Sequence, residues 1–159
     1  MYNWLVFLHI LFAFLFMLAH GVYAAVMLKF RTEPDPERSL TFFNVLSELT
    51  LMRVLMVLMG IPAFVAAFLA GWWQKGWIWA SVAVFLIVSY VMVKYGAGYY
   101  SVIESAALRL IEARKTGANP ETALKEFDKA RNAPHPIIVS IVGIAGLAVI
   151  LWLMRFKPF

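Results

Sequence analysis

A run from Trp4 to Leu28 contains no Asp, Glu, Lys or Arg. A helix needs about 20 mainly apolar residues to cross the hydrocarbon core of a bilayer, so this stretch is long enough to span one. Similar runs recur over Val54 to Gln74, Trp77 to about Val93 and Ile137 to Met154. A soluble domain averages about 45–50% apolar and about 25% charged residues. Here the fractions are 63% and 14%, with a mean hydropathy of +0.79. A water-soluble fold cannot hide this much apolar surface, so the excess must face lipid. The reading is an all-α polytopic membrane protein: a four-transmembrane-helix bundle, one membrane domain over 1–159, with no separate soluble domain. Its spans are expected at about 4–28, 43–71, 77–95 and 137–154.

The segments between spans carry the punctuation. In RTEPDPERS (residues 31–39) each proline pushes the preceding residue out of the α region, so the second helix is expected from about Leu40. Pro62 lies inside that helix, where it removes one backbone hydrogen bond and kinks the helix. Trp72, Trp73, Trp77 and Trp79 surround the next turn and place it at the headgroup level. The third helix is expected to continue towards Lys115, with a bend at Gly96 and Gly98. In the segment ANPETALKEFDKARN, Asn119 reads as an N-cap, Pro120 as the first helical residue and Glu121 as a favourable first-turn acid. Ala123, Leu124, Phe127 and Ala130 recur at helical spacing, the mark of a short amphipathic surface helix before the last span. Pro134 and Pro136 end it around His135.

Basic residues concentrate in the first loop (about 29–40) and the third (about 108–135), while the second has only Lys75. The positive-inside rule puts those two loops in the cytoplasm and both termini outside, in a bacterial inner (plasma) membrane. The formal charge of +5 is then accounted for by anionic headgroups and topology rather than by nucleic acid. The amino terminus lacks the basic n-region of a signal peptide, so the first helix is expected to be retained as a span. Cysteine is absent, which removes disulfides, thiolate metal sites and cysteine nucleophiles.

Few residues offer chemistry. His9 and His20 are eleven residues apart, within about 20° of whole helical turns, so they share a face about 16 Å apart along the axis. An imidazole in a span either bonds a neighbouring helix or serves as a ligand to a metal or haem iron. His135 and His20 are poorly matched in depth. A haem in one subunit would therefore need a Met, Lys or Tyr as its second axial ligand, an open position, or a second subunit. Met52, Met56 and Met59 form one stripe of the second span. Such a stripe fills a core or holds monovalent copper. Glu48 and Arg53 lie about 140° apart on that helix and do not face each other. Glu48 is close to the cytoplasmic end, and Arg53 snorkels to headgroups or meets a partner. Lys94, Tyr95, Tyr99, Tyr100 and Glu104 gather at the inner end of the third span, with Lys94 about 25 Å along the helix from Trp77. They form an interfacial anchor or a polar wall around a ligand. Ser140, Gly143 and Gly146, and Ala13 and Ala24, are small enough to permit close helix contact.

The opening WLVFLHILFAFLFMLAHG and the closing VILWLMRFKPF, with four spans and a basic third loop, resemble a family of small predicted bacterial integral membrane proteins without an assigned function. That family is similar in layout to the CopD copper-resistance proteins and the HemJ-type protoporphyrinogen oxidases. The HemJ likeness implies a b-type haem in which an early first-helix histidine, here His9, and a third-helix lysine, here Lys94, matter. The CopD likeness implies copper handling. Three functions follow: a helper or subunit that packs with itself or a membrane partner, a haem-binding redox protein or oxidase centred on His9, and a small copper-handling or transport protein.

Overall fold

The computed structural model describes residues 1–46 and 49–159, with side chains described outside 43–50 and Ala97. Among the described residues the chain is all-helical, without a strand. The helices are α1 (Tyr2–Phe30), α2 (Pro36–Leu46), α3 (Leu49–Leu69), α4 (Gly76–Val91), α5 (Gly98–Thr116), α6 (Glu121–Arg131) and α7 (His135–Phe156). A 3₁₀ turn, Trp72–Gln74, precedes α4, and a π-helical segment, Met92–Ala97, joins α4 to α5. Among the described residues, four helical stretches are long and apolar enough to cross a membrane: Tyr2–Phe30, Leu51–Leu69, Gly76–Thr116 and Glu121–Phe156. The chain is therefore a multi-pass membrane protein of the class read from its sequence.

The residues divide into two compact units. The first gathers Met1–Tyr23, Glu48–Ile87 and Ala145–Phe159, the second Ala24–Ser47 and Val88–Ile144. In the first unit most apolar side chains point outward. Trp4, Phe7, Ile10 and Phe14 of α1 are all more than half exposed, which only a lipid surround tolerates over such an area. What is buried among its described residues is sparse: Leu55, Pro62, Ala66 and Ala67 on α3, Trp77 and Ser81 on α4, Gly146 and Leu153 on α7. Leu55, Met59, Pro62 and Ala66 are spaced by four, three and four, so they form the inward stripe of α3. Pro62 is accommodated within a continuous helix.

Beyond α3 the tryptophans form a cluster with the tail of the chain. Trp72 packs edge-on against Tyr2 and Trp77, and the Lys157 ammonium lies 4.2 Å from the Trp72 ring centroid. Lys157 has φ 47°, and its amide donates to the Leu153 carbonyl, so it closes α7 in the left-handed conformation with Pro158 following. The Trp77 amide donates to the Phe159 carbonyl at 3.3 Å.

The second unit holds the denser core. All but five of the charged residues (Glu48, Arg53, Lys75, Arg155 and Lys157) belong to it. So do the largest fully buried side chains: Phe30, Phe127, Ile103, Leu110, Pro36 and Ser39. Along α5, Tyr99, Ile103, Ala106, Ala107 and Leu110 are buried at helical spacing, and α2 and α6 both pack on this helix. The amphipathic helix expected before the last span is α6. Its apolar residues Phe127 and Ala130 are occupied by the chain itself, with Phe127 edge-to-face on Phe30 at 6.4 Å. The second unit thus joins α2, α5 and α6 to the adjoining parts of α1, α4 and α7.

Helix starts differ from the sequence-based expectation in one place. The second helix begins at Pro36, not near Leu40, because Asp35 accepts the Glu37 amide on its carboxylate at 3.1 Å and Pro36 fits the first helical position. Asp35 also accepts the Ser39 amide and hydroxyl on its carbonyl, which closes the first turn. The start of α6 follows the expected pattern, with the Asn119 side chain accepting the Glu121 amide at 3.0 Å.

Candidate functional site

Two groups of polar side chains stand out, one in each unit. In the first, the His9 Nδ1 lies 3.0 Å from the Met59 carbonyl oxygen. Pro62, three residues on, has no amide to donate, and the acceptor it leaves without its usual donor is the Leu58 carbonyl, next to Met59. Bonding to a carbonyl requires a proton on Nδ1, which leaves the lone pair on Nε2. His20, on the same face of α1, lies between the rings of Phe16 at 5.9 Å and Tyr23 at 6.5 Å, both tilted by 21°. Its Nδ1 is buried without a hydrogen-bond partner among the described residues.

Met52, Met56 and Met59 lie at helical spacing on α3 and differ in burial. Met52 and Met59 are half-buried, whereas Met56 is 41% exposed. No group of three or more His, Asp or Glu able to hold a metal occurs among the described residues. Arg53 is exposed, with Val54, Val57 and Leu58 exposed around it. Glu48 lies outside the described residues.

In the second unit, Lys94 sits in the π-helical segment. It lines a cavity of about 260 Å³ with Gly98, Tyr99, Val102, Ala130, Ala133 and His135. The His135 ring lies 5.7 Å from Tyr99, nearly parallel, and 6.1 Å from Tyr95. Its Nδ1 is buried without a hydrogen-bond partner among the described residues. The Lys94 ammonium lies 5.7 and 5.6 Å from the Tyr90 and Tyr95 ring centroids, within cation–π range. The Tyr99 hydroxyl donates to the Arg131 carbonyl at 3.5 Å, which ties α5 to the end of α6. Glu104 is half-buried on α5 and does not line the cavity.

Of the residues singled out in the sequence, the structure thus brings Lys94 and Tyr99 together. His9, His20, Arg53 and the three methionines belong to the other unit. His135 is the member that local spacing does not reveal, being forty-one positions beyond Lys94 on another helix. Its only sequence signal is its place between two prolines at a helix start. The small-residue stripe of α7 is engaged within the chain: Gly146 is buried, and a Cβ on Gly143 would stand 2.7 Å from the Met92 Cε.

Fold and sites together define an all-α multi-pass membrane protein. No family model matches the chain, and neither a curated protein nor a solved structure matches it.

Proposed function

We propose that the chain is a helper or subunit of a bacterial plasma membrane, with the first and third loops in the cytoplasm and both termini outside, that packs with itself or with a membrane partner. The observation that supports this is the second unit itself. Spans need only a few residues to join them, yet here α2, α5 and α6 build a body with its own core. Its surface carries exposed ion pairs, Arg109 with Glu126 at 3.1 Å and Lys125 with Glu121 at 2.7 Å. Exposed pairs of this kind contribute about 0–1 kcal/mol each, too little to explain them by stability, whereas patterned charge selects a partner and its register. The full chain in neutral detergent is expected to run as an oligomer or with a co-purifying protein. Reversing α6 with Glu121→Lys and Glu126→Lys is expected to release that partner. A monodisperse monomer, unchanged by the reversal, overturns the reading. Alkaline phosphatase fused after Phe159 tests the orientation: high activity is expected, and an inactive fusion reverses it.

A second reading is b-type haem binding through His9. The bond from His9 Nδ1 to the Met59 carbonyl supports it, since a histidine ligand is normally oriented by its other ring N–H on a carbonyl or carboxylate. His9 would hold iron through Nε2, and the haem would supply one-electron chemistry. Lys94, the lysine that the HemJ resemblance implies, lines the cavity with His135 in the second unit. The protein expressed with haem available is expected to show a Soret band that is lost in His9→Ala and kept in His135→Ala. A featureless spectrum at high purity sinks this reading.

A further inference from the structure

We propose that the Lys94–His135 cavity binds a phosphate anion, supplied by the headgroup of an anionic phospholipid whose acyl chains lie on the exposed helix face beside it. This is independent of the helper and haem readings and rests on four observations.

The first is charge. Lys94 and His135 line the cavity, and among the described residues no carboxylate does so. The nearby Asp128 is taken by Arg131 at 2.8 Å. Lys94 has no ion pair among the described residues, so its three N–H donors stay available to an anion. A lysine ammonium binds phosphate as a point charge.

The second is the His135 imidazole, which lines the cavity and stacks nearly parallel on Tyr99 at 5.7 Å. A ring N–H is a donor suited to an anion's oxygen.

The third is size. At about 260 Å³ the space falls below the roughly 300–1,000 Å³ that buries a drug-sized molecule. It takes a headgroup fragment and leaves the rest of the ligand outside. Gly98 lines it, and a Cβ built there meets nothing within 4 Å, so there is room for a larger side chain at this position.

The fourth is what borders the opening. Tyr90, Val93 and Val102 are each more than half exposed, so the charged cavity adjoins an apolar surface. Polar recognition beside apolar surface suits an amphiphile better than a free ion. The position in a π-helical segment agrees with this, because such segments recur at functional sites. The sequence also places Lys94 at headgroup depth.

The test is native mass spectrometry of the full chain, purified in neutral detergent without phosphate. It is offered dioleoylphosphatidylglycerol, dioleoylphosphatidylcholine or inorganic phosphate. One phosphatidylglycerol is expected to be retained with a preference of about tenfold or more over phosphatidylcholine, the size of one charge-assisted contact. Lys94→Gln is expected to weaken it about tenfold by the same contact. Gly98→Leu, which fills the cavity without removing charge and suits a helix better than glycine, is expected to abolish the preference. It keeps the test decisive if Lys94→Gln fails to fold. Arg53→Gln, removing another exposed cation, is expected to change nothing. Equal retention of both lipids, or an equal loss in Arg53→Gln, overturns the site. Binding of inorganic phosphate without retention of lipid overturns the lipid as its source.

Discussion

Replacing Phe127 with alanine is expected to cost about 3–5 kcal/mol, the range for removing a buried aromatic ring from a packed core. The ring is fully buried and stands edge-to-face with Phe30, an arrangement worth about 0.5–1.5 kcal/mol beyond its buried area. The loss should fall on α6 in particular. This helix has eleven residues, and only Phe127 and Ala130 of them are buried. Isolated helices shorter than about 12–15 residues are marginal in water, so α6 depends on its anchor in the core. Hydrogen exchange of the amides of 121–131 is the sensitive measurement, because local opening reports its own free energy. Exchange there is expected to accelerate sharply while the apolar spans remain protected. Unchanged protection of α6 would mean that its ion pair with α5, Arg109–Glu126, holds it, against the small value of such pairs. Leu124→Ala is the control: Leu124 is 40% exposed, and its loss should leave α6 protected.

Much of this architecture is legible in the amino-acid sequence, and the reasons are physical. The spans announce themselves because lipid demands length and apolarity together, and neither signal depends on what the helix packs against. The amphipathic α6 is readable for the same kind of reason: Phe127 and Ala130 share a face by helical period alone. The start of α2 is missed when its two prolines are taken only as breakers. Asp35-Pro36-Glu37 also spells a cap, a first helical residue and a first-turn acid, and in this case the cap prevails. The π-helical segment has no spacing signature. Gly96 and Gly98 signal a bend, but a widened turn depends on neighbours on other helices. The cavity is half legible for the same reason. Lys94 and Tyr99 are neighbours in sequence, whereas His135 reaches them only through the packing of the second unit. His9 stands out by residue type alone. The bond that fixes its tautomer comes from the Met59 carbonyl on another helix, fifty positions away, which no local spacing announces.

Gly143→Leu is expected to destabilise the second unit by about 1–3 kcal/mol, the usual cost of forcing extra volume into a packed contact. The smaller change, Gly143→Ala, is expected to be nearly neutral, and the contrast carries the argument. A Cβ at position 143 would stand 2.7 Å from the Met92 Cε, and no other atom comes within 4 Å of it. The obstructing atom is the far end of an unbranched side chain with three rotatable bonds, so Met92 swings aside at little cost. Alanine also gains about 0.8–1.0 kcal/mol of helix propensity over glycine in water, which offsets the adjustment. Leucine adds three further carbons along the same direction, into the π-helical segment that carries Met92 and Lys94. Moving the methionine tip no longer suffices, and the segment or α7 must shift. Thermal unfolding in one detergent gives the two stabilities. If Gly143→Leu also weakens retention of phosphatidylglycerol, the shift has reached Lys94 two residues beyond Met92. Equal stability of the leucine and alanine variants would show that α7 and the π-helical segment do not pack closely at Gly143.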